Sequence, residues 1–387
     1  MAILATFGVN GMNEATRRLV PLTDVQPEPI RWLWSHRFLF GAVNLLEGDP
    51  GQAKSTIMYH IAGCVTRGWV MPGCRFGNPP AGVVLIQGED HLAATVRPGL
   101  EAAGADLSKL YVYDSNRFGT RPLTLPDDLG AIEVEAGEVQ ARLVVIDPFT
   151  AFLGGNANSD QSVRKTMGAL TAFASRAGLA VVLVRHNRKA GSGNPAYRGA
   201  GSIGIIAAAR SALAVAPDPT TSDPHMHVLV QTKTNLATAA SLSYRTVKSG
   251  DRITVEWLGE SRCTARDLAG AEDRSAHAEA MWVLYSLLSD GPVQASDVYS
   301  RATAAGVAKR TLERAKVALQ VRTRKHGSGA GSCWTWELPR DDRLLRPFRE
   351  RERDEGIERL TYGDEPPLPG DEWKSGEPLD DDGADHE

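Results

Sequence analysis

Short apolar runs alternate with segments of helical periodicity along the middle of the chain. Several runs are apolar throughout rather than at every second position, as in strands buried on both faces. Helix-like segments lie between them, at 55–67, 92–103 and 162–177. This alternation predicts an α/β domain with a mainly parallel sheet. The runs are AVNLLEG (42–48), GVVLIQGED (82–90), LYVYDS (110–115), ARLVVIDPF (141–149), AVVLVRHN (180–187), ALAVAP (212–217) and HVLVQTK (227–233).

The segments on either side of these runs have different patterns. SLSYRTV (241–247) and DRITVEWLG (251–259) alternate with a period of two and predict a terminal hairpin. Ahead of the runs, prolines space the segment PLTDVQPEPIRWLW, which is typical of an extended arm. We therefore predict an N-terminal arm over 1–35 and a first domain over 36–260.

The last third of the chain has a third pattern. After a polar linker predicted at 261–275, three helix-like segments precede a hairpin with a glycine-rich turn, RTRKHGSGAGSCWTWELP. This order predicts a small winged-helix-like domain over 276–340. Modules of this kind bind proteins as well as DNA, and the basic third helix, AKRTLERAKVALQV, favours DNA.

Charge is strongly segregated at this end of the chain. Between residues 301 and 325 eight basic residues are opposed only by Glu313. From Asp364 onwards ten residues are acidic, and Lys374 is the only lysine or arginine. We predict a charged, acidic and disordered tail over 341–387. Such a tail could mimic DNA, contact replication proteins or increase solubility.

Composition narrows the class of protein further. The 387 residues, 42% hydrophobic and 23% charged, provide for two or three globular domains. No apolar run approaches the length of a membrane span, and the first residues lack the pattern of a secretion signal. We therefore expect a cytoplasmic protein without a membrane partner. The cysteines lie far apart without a CxxC pair, which argues against disulfides and zinc: Cys64, Cys74, Cys263 and Cys333.

The clearest chemical motif lies between the first strand of the core and its helix. Curled backbone N–H groups, a helix N-terminus, a lysine and a hydroxyl are what a nucleotide phosphate chain and its Mg²⁺ require. A chance glycine-rich turn would not explain the flanking strand and helix as well. The motif predicts binding of ATP with Mg²⁺, with Ser55 as a metal ligand. Its residues are Gly48, Asp49, Pro50, Gly51, Gln52, Ala53, Lys54, Ser55 and Thr56.

One position departs from the usual motif, because Ala53 stands where a glycine is expected. Its methyl group is expected to crowd the turn of the backbone.

Two further strands end in carboxylates. Asp147 ends the run LVVID, and we predict that it holds the Mg²⁺ from a neighbouring strand, although a strand-end aspartate is also a common turn former. Pro148 and Phe149 follow it, so the group that activates the attacking water must come from elsewhere. Glu89 is our first choice for this base and Asp90 our second, with an ordinary helix cap as the alternative.

Taken together, these motifs resemble a known family. The ordered set GDPGQAKST, LIQGEDHL, LVVIDPF, LVRHNRKAGSG, YRGAGS, AAARSAL and VQTKTN is similar to the hexameric replicative helicases of plasmids and phages, the RepA-like (AAA_25) branch of the RecA-like ATPases. The resemblance covers about residues 29–259. It implies a RecA-like fold, a homo-oligomeric, hexameric ring, ATP hydrolysis and single-stranded DNA as partner.

The resemblance also implies roles for downstream residues. By match, His186 senses the γ-phosphate, and Arg210 or Arg198 reaches the nucleotide of the neighbouring subunit. Lys233 matches a position that approaches the adjacent nucleotide. The sequence positions of these residues agree with the implied roles. His186 ends its strand, and Arg210 interrupts an apolar stretch where a buried guanidinium must meet an anion. That anion is either a phosphate across an interface or an internal carboxylate.

Two loops rich in Gly, Asn and Ser complete the picture. LGGNANSDQS (153–162) and RKAGSGNPAYRGAGS (188–202) could be pore loops that touch the DNA backbone, or simply flexible surface loops. The sequence therefore predicts a Mg-dependent ATPase acting as a DNA helicase. The alternatives are an ATP-switched loader or regulator that binds DNA without unwinding, and a signalling or clock-type ATPase that acts on proteins.

Overall fold

The computed structural model describes residues 20–113, 122–155, 159–187, 203–327 and 332–354. The chain divides into two structural units, Met1–Asp273 and Arg274–Glu387. Helix α6 (Ala265–Leu288) runs across the boundary, so the linker predicted at 261–275 is largely helical. The correction has a local cause: from Ala265 onwards the segment contains good helix formers and no proline.

The first unit contains a strand in every apolar run and in both segments of the predicted hairpin, and it adds two strands near its start. Its strands are β1 (Trp32–Trp34), β2 (Phe38–Leu39), β3 (Ala42–Gly48), β4 (Gly82–Gln87), β5 (Leu110–Val112), β6 (Ala141–Asp147), β7 (Ala180–His186), β8 (Ser211–Pro217), β9 (Met226–Thr234), β10 (Ser241–Ser249) and β11 (Arg252–Ser261). Its helices are α1 (Lys54–Arg67), α2 (Arg97–Ala102), α3 (Leu129–Glu138), α4 (Asp160–Ala177) and α5 (Ile203–Ala208). A π-helical segment, Leu92–Val96, leads into α2, and 3-10 turns lie at Leu22–Asp24, Leu107–Lys109 and Phe149–Phe152.

Nine of these strands form one sheet in the order β11-β10-β9-β8-β3-β7-β6-β4-β5 within the described residues. The strands from β8 to β5 in this order are parallel, and β9, β10 and β11 are antiparallel. The α/β fold with a mainly parallel sheet is therefore confirmed. Because the parallel strands share a direction, their carboxyl ends meet at one edge, which we call the carboxyl edge.

Helices cover both faces of the sheet and bury two apolar layers. One layer is formed with α1 and α2 and includes Ile57, Met58 and Ile61. The other is formed with α3, α4 and α5 and includes Phe173. Helix α1 ends at Gly68, whose φ of 71° is left-handed and whose added Cβ would lie 2.9 Å from Pro80 Cδ.

The end of the predicted N-terminal arm belongs to the core. Trp32–Trp34 pair with Phe38–Leu39, and Leu33 and Trp34 are buried. The Trp34 indole N–H donates to the Pro72 carbonyl at 2.8 Å. The boundary predicted at residue 35 was therefore too late, because burying these apolar side chains outweighs the local bias of the prolines toward an open arm.

The second unit has the predicted order of helices and hairpin. After α6 come β12 (Val293–Gln294), α7 (Ala295–Ala304), α8 (Lys309–Ala318), β13 (Arg322–His326) and β14 (Cys333–Glu337). The three strands pair in the order β12-β14-β13. Gly306, with a φ of 82°, makes the turn between α7 and α8. Leu284, Val298, Leu312 and Trp336 are among the side chains that form a separate apolar core.

The start of the predicted disordered tail is a helix, α9 (Asp342–Asp354). Its Leu345 is buried in the core of the second unit, and the Phe348 ring stacks against Trp282 and Tyr285. These apolar side chains stabilise a segment whose charge alone predicted disorder. Residues 355–387, which contain the acidic stretch, lie outside the described part of the chain. In that part, no helix has the length and apolarity needed to cross a bilayer.

Candidate active site

The phosphate-binding motif lies where β3 meets α1, at the carboxyl edge. Gly51 has a φ of 79° and Ala53 a φ of 57°, so the loop curls back toward the start of the helix. The N-cap of α1 is Ala53, which offers no side-chain cap, and the first N–H groups of a helix have no intrahelical partner. The loop therefore presents donors suited to an anionic phosphate chain.

Lys54 is buried inside this loop. Its ammonium group donates to the carbonyls of Gly48 at 2.9 Å and Asp49 at 2.7 Å. Burial lowers the pKa of Lys54 to about 8, although the charges of Asp147, Asp49 and Glu89 oppose the shift. Phosphate oxygens would supply the negative charge that favours the protonated amine in this position.

Gly48 has no room for a side chain. A Cβ added there would lie 2.5 Å from Val215 Cγ2 and 2.6 Å from the Val215 carbonyl oxygen. The loop and β8 are thus in direct contact at this position.

Ala53 takes up the left-handed conformation that a glycine would adopt freely, with φ 57° and ψ 28°. An L-residue pays about 1–2 kcal/mol for this conformation. A glycine at this position would itself lower the free energy of unfolding by about 0.4–1 kcal/mol, because it increases the conformational entropy of the unfolded chain. We expect Ala53→Gly to increase the free energy of unfolding by about 0.5–1 kcal/mol. Denaturant unfolding monitored by circular dichroism tests this, and a destabilised variant would contradict the strain at Ala53.

Ser55 and Asp147 form a hydroxyl–carboxylate pair beside the loop. The Ser55 hydroxyl donates to Asp147 Oδ2 at 2.7 Å. Burial raises the pKa of the Asp147 carboxyl, while the Ser55 hydrogen bond and the Lys54 charge lower it. A divalent cation favours the ionised carboxylate and takes oxygen ligands, so the pair fits Mg²⁺. When bound, Mg²⁺ would neutralise charge on the phosphate oxygens.

The two strands that bring this pair together are not adjacent, which corrects the sequence-based expectation of a neighbouring strand. β7 lies between β3 and β6 in the sheet. Helix α1 carries Ser55 across to Asp147, because the helix starts after the loop has left β3. The described residues contain no cluster of three or more His, Cys, Asp or Glu side chains suited to a metal ion.

Glu89 and His186 meet at the same edge. Glu89 follows β4, His186 ends β7, and Glu89 Oε2 lies 3.6 Å from His186 Nε2. His186 also pairs in register with Gly48. Its Nδ1 is buried and finds no partner among the described residues. Glu89 is 62% exposed at its side chain, so a water molecule can reach the carboxylate.

Asp90, the second choice for the base, is held differently. The Tyr59 hydroxyl donates to Asp90 Oδ2 at 3.3 Å. Burial and the Asp90 charge both raise the pKa of Tyr59, which therefore stays a donor. Asp90 is thus engaged with α1, whereas Glu89 faces His186.

A buried ion pair that the sequence analysis missed lies directly beneath these residues. Arg185 Nε donates to Glu47 Oε2 at 2.6 Å, and both side chains are buried. Burial raises the pKa of Glu47, and the Arg185 charge opposes that rise. The pair joins β3 to β7 one position before Gly48 and His186. The sequence did contain a signal for this pair, since each of the two apolar runs contains one charged residue and the two charges are opposite.

Tyr244 is a second residue that was missed. Its hydroxyl donates to the Gln52 carbonyl at 2.9 Å, and its ring is buried between His227 and Trp257. A strand remote in sequence, β10, therefore supports the phosphate-binding loop. Nothing local in SLSYRTV distinguishes this tyrosine from an ordinary core residue.

Arg210 and Lys233 lie at the opposite edge of the sheet. The Arg210 backbone N–H donates to the Val43 carbonyl at 2.9 Å, at the start of β3. From Val43 to Gly48 the strand rises about 3.3 Å a residue, or about 17 Å in all. Arg210 is exposed, which leaves its side chain available to an anion outside its own subunit. No described residue pairs with its side chain.

Lys233 is engaged within its own chain. Its ammonium group donates to the carbonyls of Ile206 and Ala207, both at 2.7 Å, at the end of α5. Burial lowers its pKa, and the nearby Arg210 charge lowers it further. Lys233 therefore does not approach the phosphate-binding loop of its own subunit.

Several predicted residues lie outside the described part of the chain. They include the second arginine candidate, Arg198, and the whole loop 188–202 with Arg188 and Lys189. Of the other predicted loop, 153–162, residues 156–158 also lie outside it.

The first part of the chain is similar to known proteins. Residues 15–192 match the family AAA_25, described as an AAA domain. The DNA repair protein RadA of Mycolicibacterium smegmatis is 28% identical over 217 residues, which are 50% of this chain and 41% of the relative. RadA of Mycobacterium tuberculosis is 28% identical over 156 residues, 39% of this chain and 28% of the relative. The chain thus spans less than half the length of these curated relatives.

A KaiC-like protein from the archaeon Pyrococcus horikoshii is a solved structure with some likeness. It is 16% identical with a TM-score of 0.43, and the alignment covers 59% of this chain and all of that protein.

Proposed function

We propose that the first unit of this chain is a RecA-like P-loop ATPase, and that the protein is a ring-forming motor that hydrolyses ATP with Mg²⁺ and acts on single-stranded DNA. Within that class we favour a replicative DNA helicase of a plasmid, phage or other mobile element. The name of the RadA relatives, DNA repair protein, supports DNA as the partner. The ring, the DNA and the unwinding are parts of this proposal.

The position of Arg210 is the observation that supports a ring of several subunits. The proposed ATP site is the loop at the carboxyl edge of the sheet, and the backbone of Arg210 lies about 17 Å away at the start of β3. Arg210 can therefore reach a γ-phosphate only on another copy of the chain. An arginine supplied in this way stabilises charge in the transition state and contributes about 10³–10⁵ in rate in other NTPases. A hexamer is the ring size that the family resemblance favours.

We expect Arg210→Ala to bind ATP but to hydrolyse it at least about 100-fold more slowly, because its neighbour lacks the charge at the γ-phosphate. Mixing it with Lys54→Ala should restore part of the activity, since an intact loop from one variant meets an intact arginine from the other. Steady-state ATPase rates of the mixture and of each variant alone make the test.

Arg245→Ala, which removes an exposed arginine from β10, is the matched control and should keep the normal rate. Absence of rescue in rings shown by mass spectrometry to be mixed would contradict a shared site. Full activity of a monomeric form would contradict it as well.

For the second unit we propose a winged-helix-like module that binds DNA. Helix α8 and strand β13 carry exposed basic side chains, including Arg310, Arg314 and Arg322. Lys309 and Lys316 lie over the rings of Tyr299 and Trp336, at 5.1 and 4.0 Å from their centroids. Cations held in this way can contact phosphates without specifying base sequence.

We expect binding of DNA by the second unit to weaken steeply with salt. Neutralising Lys309, Arg310, Arg314 and Lys316 in the full chain should reduce the slope of log affinity against log salt by about 0.7–0.9 for each lost phosphate contact. Fluorescence anisotropy with a labelled oligonucleotide measures this slope. An unchanged slope and affinity would indicate that this face binds a protein instead.

A further inference from the structure

The hairpin β13–β14 of the second unit exposes a tryptophan that its core does not use. Trp334 and Trp336 lie two residues apart on β14 and therefore on the same face of the hairpin. Trp336 is 2% exposed, packed under Tyr299 and Lys316, whereas Trp334 is 52% exposed. The ring of Trp334 extends past the apolar core of this unit and is not part of it.

A cation lies beside this exposed ring. In the register of the hairpin Lys325 lies directly opposite Trp334 and on the same face, whereas Arg324 and Arg322, opposite Thr335 and Glu337, project from the other face of the hairpin. All side chains of β13 are exposed. In the described hairpin the one acidic side chain is Glu337, which lies 3.6 Å from Arg324 at the end remote from Trp334. The charge next to the ring is thus positive.

An exposed aromatic ring beside a positive charge fits a nucleic acid better than a protein partner. A protein partner needs a contiguous apolar surface, and the large exposed apolar side chains among the described residues of this unit are Trp334 and Val317 alone. A single aromatic ring beside a cation is what an unpaired nucleotide requires, because the base stacks on the ring and the phosphate is neutralised beside it. Bases in a duplex are already stacked and cannot use such a ring without unpairing.

We propose that Trp334 stacks on an unpaired base of single-stranded DNA while Lys325 contacts the adjacent phosphate. This inference rests on the proposed DNA-binding role of the second unit and adds its ligand class, a strand with unpaired bases. The phosphate contacts of α8 then provide affinity that is independent of the bases, and Trp334 provides the preference for single strands.

The test compares strands that differ only in their bases. Full-length protein and its Trp334→Ala variant are titrated with labelled dT20 and with an abasic oligonucleotide of the same length, at several salt concentrations. We expect the variant to lose about 5- to 100-fold in affinity for dT20 and to bind the abasic strand as the wild type does. The salt slope should stay unchanged, because no phosphate contact is removed.

Two further measurements locate the effect. Trp334→Phe keeps a ring and should retain most of the affinity, and a 5-iodouracil oligonucleotide should cross-link on irradiation to the peptide that contains Trp334. Trp69→Ala, which removes a 46% exposed tryptophan from the first unit, is the matched control and should bind dT20 normally. Thermal unfolding checks that each variant is folded.

The outcomes separate this inference from the function it rests on. If Trp334→Ala binds dT20 normally while the lysine and arginine variants of α8 lose affinity, stacking is wrong and DNA binding by the second unit stands. An equal loss for dT20 and for the abasic strand would assign Trp334 a structural role and overturn the inference. If neither Trp334 nor the α8 variants change binding, the proposed role of the unit fails with it.

Discussion

Lys54→Ala lowers ATP turnover at least about 100-fold, the effect expected when one electrostatic contact to a developing negative charge is lost. In the structure the Lys54 ammonium is buried in the phosphate-binding loop and bonded to the carbonyls of Gly48 and Asp49. This places a positive charge where the outer phosphates of ATP would lie. Phosphate release at saturating ATP measures the loss.

Two variants separate charge from packing at this position. Lys54→Met keeps most of the side-chain volume and should be as inactive as Lys54→Ala, since both lack the charge. Thermal unfolding should show that both variants are folded. An active Lys54→Met variant would mean that the amine does not contact the phosphates.

Glu89→Gln keeps ATP binding nearly intact and slows hydrolysis by about 10²–10⁴, the usual contribution of a general base. The side chain is exposed to solvent and lies 3.6 Å from His186, and the amide has the same size but cannot accept the proton. Binding of a fluorescent ATP analogue and single-turnover hydrolysis, measured on the same preparation, distinguish the two steps.

Asp90→Asn is the matched control for this prediction. Asp90 accepts the hydrogen bond of the Tyr59 hydroxyl, which an amide oxygen can also accept, so this variant should keep most of its activity. The reverse result, a normal rate for Glu89→Gln and a slow Asp90→Asn, would make Asp90 the base.

Local patterns predicted the sheet well, for physical reasons, and the residues of the predicted phosphate site meet at one edge of it. A run such as LVVID is apolar on both faces because helices cover both sides of the sheet, and a glycine-rich turn between strand and helix has few structural uses. Asp147 and His186 end predicted strands and Glu89 follows one, so parallel packing brings them to one edge. The pattern of apolar runs was therefore enough to predict that these side chains lie at one edge of the sheet.

Contacts between segments that are remote in sequence could not be predicted from these local patterns. Trp34 belongs to the core because Pro72 and Trp257 lie beside it, and Leu345 is buried because it packs in the apolar core of the second unit. The apolar neighbours of Arg210 in sequence did not show whether its guanidinium meets an internal carboxylate or an anion outside the subunit. It lies just before a strand, where the chain emerges from α5 and the side chain reaches solvent.

The buried pair Arg185 and Glu47 illustrates the same limit. Each charge alone suggests a surface position or an error in the strand prediction. Only the parallel register of β3 and β7 shows that the two side chains neutralise each other.

The central claim is that ATP hydrolysis at the carboxyl edge is coupled to single-stranded DNA. The most direct measurement is the ATPase rate of the full chain with Mg²⁺, without DNA and then with single-stranded or fully duplex DNA, beside displacement of a labelled strand from a tailed duplex. A motor of the proposed kind turns over faster with the single strand than with the duplex and displaces the strand only when it can hydrolyse ATP. A stimulated rate without displacement would favour the loader or regulator, and a rate that no DNA changes would contradict the account.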